Sequence, residues 1–102
     1  MSVEVPAQSA KFIIVAELRS KPSAPFEAAI AAMGQAYRLA NNVWLLRAAT
    51  TVGAVRNNLN PHLGGRDSLF AADIGSGRTA WLNLGPEADA RIRAIVQNEP
   101  KS

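Results

Sequence analysis

The 102-residue chain contains no cysteine. That excludes disulfides, thiolate metal sites and thiol nucleophiles, and it fits a reducing, cytoplasmic setting. Its one histidine, His62, excludes a histidine-rich metal centre. No apolar run approaches the ~20 residues that span a bilayer, so no membrane partner is expected. The opening "MSVEVPAQSA" lacks the basic region and apolar stretch of a secretion signal. Aromatic residues are only 6% of the chain, which leaves little material for stacking on bases. Tyr37, beside Arg38, is the candidate for that role, while Trp44 and Trp81 read first as core or interface residues.

What is present describes a folded domain. Hydrophobic residues make up 48% and charged residues 19%, a balance too apolar for disorder. The reading is a flexible lead at 1–10, one domain at 11–98 and a tail at 99–102. A core this small makes dimerisation a sensible supplement. Net charge is +3 and the pI about 10.0. Eight of the eleven cations are arginine, scattered along the chain. A basic balance favours phosphate backbones, although scattered cations also describe an ordinary solvated surface.

Hydrophobic periodicity orders the elements. "KFIIVAEL" (11–18) and "VWLL" (43–46) are continuous apolar runs, expected of interior strands. A helix is expected from Ser23, its cap, to Gly34, with Phe26, Ala29, Ile30 and Met33 on one face. Asn41-Asn42 forms a hairpin turn between two strands within 36–48. Thr50 or Thr51 caps a second helix presenting Val52, Val55 and Leu59. A strand follows at 67–74. Gly85-Pro86 opens a last helix with Ala88, Ile92, Ile95 and Val96 inward. The fold class is α+β: a ferredoxin-like split βαβ repeat, βαββαβ, with an antiparallel sheet ordered fourth, first, third, second. A further strand (79–84) and the last helix complete it.

"AADIGSGRT" (71–79) imitates a glycine-rich cofactor loop. Phosphate cradling needs a helix N-terminus directly behind the glycines. Here "RTAWLNL" follows, which reads as a strand. The glycines are therefore expected to make a hairpin turn.

The expected topology gathers Glu17, Arg19, Lys21, Asn41, Asn42, His62, Arg66 and Asp67 on one rim. The "GSGR" turn, Arg47 and Thr50 fall on the opposite rim. Glu17 and Asp67, at the ends of neighbouring strands, are candidates for holding Mg²⁺ or Mn²⁺ with substrate phosphate completing the shell. The alternatives are a pair of strand-end acids, solvated or neutralised by a rim cation, and an Asp67 that serves simply as a turn residue after "GGR". His62 is a candidate base or simply a loop residue. Arg19, Lys21, Arg38 and Arg66 are the candidate phosphate contacts.

The succession "KFIIVAELRSKPSAPFEAAIAAMG", "ANNVWLLRA", "LNPHLGGRDSLFAADI" and "TAWL" resembles the SinR-like proteins of bacteria. These are small relatives of the CRISPR-associated protein that forms the dimeric hub of the spacer-integration complex. The resemblance covers roughly residues 11–84. It implies a homodimer in which strand 79–84 pairs with the partner's sheet, placing Trp81, Leu82 and Leu84 at the interface. Some members of the CRISPR-associated family are metal-dependent nucleases with an Asp ending the first strand, where this chain has Glu17. The expected function is a binding module without catalysis of its own, for nucleic acid or for a protein partner, with no required cofactor. The alternative is a metal-dependent endonuclease using Glu17 and Asp67. A toxin- or antitoxin-like dimer also suits the size and charge.

Overall fold

The structure, a computed structural model, describes residues 9–75 and 79–96. Four strands and three α-helices follow one another: β1 (Ala10–Glu17), α1 (Ser23–Met33), β2 (Gln35–Ala40), β3 (Val43–Ala48), α2 (Val52–Leu59), β4 (Ser68–Asp73) and α3 (Pro86–Val96). A 3-10 turn at Asn60–His62 extends α2. The strands form one antiparallel sheet in the order β2-β3-β1-β4. Read from the other edge this is fourth, first, third, second, with the two continuous apolar runs at the centre. The arrangement is compatible with a ferredoxin-like fold.

Side chains alternate across the sheet, and each parity builds its own core. Phe12, Ile14 and Ala16 of β1 and Trp44, Leu46 and Ala48 of β3 face α1 and α2. There they close over Phe26, Ile30, Val55 and Leu59. The opposite parity supplies Ile13, Tyr37, Leu39 and Leu45, which pack against Ala88, Ile92, Ile95 and Val96 of α3. The continuous apolar runs are explained: a strand covered on both faces has no polar side to show.

Local signals account for most element ends. Thr51 caps α2, its Oγ1 accepting from Ala54 N at 3.1 Å. Pro22 rather than Ser23 is the N-cap of α1, and no side chain caps it. The chain leaves α1 at Gly34, where only glycine fits: a Cβ there would drive into the carbonyl oxygen of Arg47. The α3 carbonyls left open at its C-terminus are met from the sheet. Arg47 Nη1 donates to Ile95 O and Lys11 Nζ to Val96 O, each at 2.9 Å. Cations suit that negative end of the dipole.

Two expectations are corrected. Residues 79–84 form no strand; they run without regular structure to α3. An extended segment is a strand only where a ladder partner meets it, and Asn83 (φ 62°) and Gly85 (φ 96°) turn this one away from extension. The glycine segment is therefore not a hairpin turn between two strands, although no helix directly follows it either, since α3 starts at Pro86. Ser76, Gly77 and Arg78 lie outside the described residues. Gly75 (φ 53°) turns the chain after β4, its N–H donating to Asp73 Oδ1 at 2.7 Å. The two helices of the split repeat, α1 and α2, share one face of the sheet, and the added α3 covers the other.

Candidate functional site

The rim at the end of β1 is built by a clamp. Asp67 Oδ1 accepts from the backbone N–H groups of Arg19 at 2.5 Å and Ser20 at 2.6 Å. Its Oδ2 accepts from Gly64 N at 2.7 Å. Ser20 Oγ in turn accepts from Arg66 N at 3.0 Å. The connection from β1 to α1 is thereby stitched to the connection leading into β4. Gly64 is required by the close approach, since a Cβ would sit 2.5 Å from Ser20 Cβ. Desolvation pulls the Asp67 carboxyl upward. Donation from Gly64, Ser20 and Arg19 N–H and from the Ser20 hydroxyl outweighs it, so the net direction is down from the ordinary value of 3.8.

The other rim residues group around this clamp. Glu17 lies beside the start of β4, its register partner being Ser68, and it pairs with Arg19 at 3.1 Å. Both side chains are more than half exposed, so the pair contributes little stability. Lys21 and Arg66 are exposed and carry no ion pair among the described residues. Lys21, Ser23, Arg38, Asn41, Asn42 and Trp44 line a cleft of about 300 Å³ over the N-terminus of α1. His62 is half-buried in the 3-10 turn, on the chain leading to the clamp.

The acidic side chains of the rim are already engaged by donors of the chain itself. Asp67 Oδ1 accepts two backbone N–H groups and Oδ2 accepts one, so three of the carboxylate's about four acceptor sites face positive hydrogens. Glu17 is held by a guanidinium. Among the described residues no cluster of three or more His, Cys, Asp and Glu side chains occurs.

A constellation that spacing alone does not reveal occurs once on each face of the sheet. Trp44 Nε1 donates to Glu27 Oε2 at 3.1 Å. Arg38 pairs with the same oxygen at 3.1 Å and lies over the indole at 5.1 Å. Arg38 also donates to Asn41 O at 2.7 Å. On the other face, Trp81 Nε1 donates to Asp89 Oδ1 at 2.9 Å, while Arg93 pairs with Asp89 Oδ2 at 3.0 Å and covers Trp81 at 5.4 Å. The hydrogen bonds from Arg93 and Trp81 hold the Asp89 carboxyl below its ordinary value. Only the i,i+4 spacing of Asp89 and Arg93 was available beforehand as a signal.

The expected interface residues separate. Trp81 packs within its own chain against the α3 core, whereas Leu82 and Leu84 are exposed. Tyr37 also turns inward, with Arg91 over its ring at 5.2 Å.

No family model matches the chain, and neither a search of curated proteins nor one of solved structures returned a match. Among the described residues no helix is long and apolar enough to cross a membrane.

Proposed function

We propose that the chain is a cytoplasmic, homodimeric ferredoxin-like module that binds nucleic acid through its rim and performs no chemistry of its own. One observation carries the reading. The Asp67 clamp fixes two loops together, and those loops bear Arg19, Lys21 and Arg66. Two of these, Lys21 and Arg66, are exposed without ion pairs among the described residues. Cations held at fixed spacing release counterions on meeting phosphates without first paying the entropy of ordering their loops. Arg38, beside the adjoining cleft, is held by Glu27 and Asn41 and serves as a fixed donor at its wall.

The test is binding of labelled single- and double-stranded RNA and DNA across a salt series. Affinity is expected to fall steeply with salt. Lys21→Ala and Arg66→Ala are each expected to weaken binding and to flatten the log–log salt slope by about one. Binding indifferent to salt and to both substitutions would remove the proposal. The rival reading, a metal-dependent phosphodiesterase at Glu17 and Asp67, draws no support from the clamp geometry. The same substrates incubated with Mg²⁺, Mn²⁺ or EDTA decide it: metal-dependent cutting abolished by Glu17→Ala would establish catalysis.

A further inference from the structure

The two edges of the sheet are built differently. The β2 edge carries Arg38 and is broken by a register shift between Arg38 and Ala40. Charge and irregularity of this kind block further strand addition. The β4 edge, "SLFAAD", keeps its register with β1 throughout, carries one charge, Asp73 at its end, and has no cation or proline. Its backbone polarity follows from two bonds. Ile74 N donates to Lys11 O, and Ala16 N donates away from β4, to Asn42 O. Peptide groups alternate along a strand, so Phe70 and Ala72 turn theirs toward β1. Leu69, Ala71 and Asp73 turn theirs outward.

We propose that this edge is the dimer contact: β4 pairs antiparallel with β4 of a second copy about a two-fold axis at Ala71. The proposal rests on the homodimer reading above and moves the contact from 79–84 to β4. The outward groups are self-complementary about that axis. Ala71 exchanges both bonds with the partner's Ala71, and Leu69 exchanges both with the partner's Asp73. On the α3 side of the sheet, Phe70, 64% exposed, falls opposite the partner's Ala72. The two Phe70 rings and two Ala72 methyls then continue the apolar surface of Val15 and Ile13 across the joint.

Charge selects a second copy as the occupant. On the α2 side, a groove of about 270 Å³ runs beside the edge, lined by Val52, Gly53, Arg56, Leu69, Phe70 and Ala71. Asp73 shares the face of Leu69 and Ala71, so the partner's Asp73 arrives opposite Leu69, beside Arg56. Gly53 leaves open space on that flank of α2. The symmetry supplies this acid–guanidinium match twice.

Sedimentation of the full chain over a concentration series tests it. Wild type is expected to dimerise. Ala71→Pro deletes an outward N–H without touching the β1 ladder, and Phe70→Lys puts two cations across the joint; each is expected to raise the dimer Kd by tenfold or more. Arg56→Asp and Asp73→Arg are each expected to weaken the dimer, and the two together to restore it. Circular dichroism of each variant checks that the fold is kept. A wild-type monomer at all concentrations overturns both this contact and the homodimer reading. A dimer indifferent to Ala71→Pro, Phe70→Lys and the charge exchange overturns the β4 contact alone.

Discussion

The two faces of the sheet carry the same indole–carboxylate–guanidinium trio on unequal supports. Trp44 sits on a central strand at 2% exposure, and its carboxylate partner comes from α1, whose buried side chains interlock with α2. Trp81 sits on a segment with no ladder hydrogen bonds, and both of its partners come from one helix, α3. Identical local chemistry therefore does different things. On the first face it satisfies a polar atom inside a core that already exists. On the second it is part of what holds α3 down, together with Arg47 and Lys11 at the helix C-terminus. Polar trios specify geometry, while the area of apolar contact beneath them sets how much is lost when they break.

Substitutions on each face sharpen this contrast. Phe12→Ala, at 0% exposure beneath α1 and α2, is expected to cost about 3–5 kcal/mol in denaturant unfolding and to destabilise the whole domain. Ile92→Ala is expected to remove about 2–4 kcal/mol from the docking of α3. Hydrogen exchange should then quicken in α3 while the amides of β1 and β3 stay protected. Equal acceleration in both would show the faces to be one cooperative unit. Glu27→Ala orphans the buried Trp44 N–H and releases Arg38, for about 1–2 kcal/mol by thermal or chemical denaturation.

The pH response orders the remaining effects. The Asp89 carboxyl is held below 3.8 in the fold by Arg93 and Trp81. Its contribution is complete above the unfolded-state value and is lost as pH falls through the depressed folded one. Acid is therefore expected to loosen the Trp81 trio only below pH 3.8, and Asp89→Asn to abolish that step in a fluorescence titration. Asp67, lowered by the clamp, follows the same sign: Asp67→Asn should reduce the acid dependence of the melting temperature and lower it at neutral pH.

Much of this architecture was legible beforehand. The continuous runs around Ile13 and Leu45 announced central strands, the 3.6-residue spacing of Ala88, Ile92, Ile95 and Val96 announced α3, and the pair Thr50-Thr51 announced a cap that Thr51 supplies. The failure at 79–84 has a physical cause. "TAWLNL" carries a strand's alternation, but alternation records only which side of a segment is covered. Trp81 is covered by α3 and the sheet rather than by a ladder neighbour. Asp67 was placed on the correct rim and expected to be a metal ligand, an acid solvated or paired with a rim cation, or a turn residue after "GGR". Its actual partners are backbone N–H groups of residues 19 and 20, which no side-chain pattern advertises. Arg19, Lys21 and Arg66 reached the shared rim because strand order puts β1 beside β4.

The indole arrangement also makes the molecule its own instrument. Each layer holds one tryptophan beneath a guanidinium, and the chain has no other. Emission from a Trp44→Phe protein reports the α3 layer alone, and emission from Trp81→Phe reports the α1–α2 layer alone. With no label added, the two optical signals reveal whether the layers come apart in one event or in sequence.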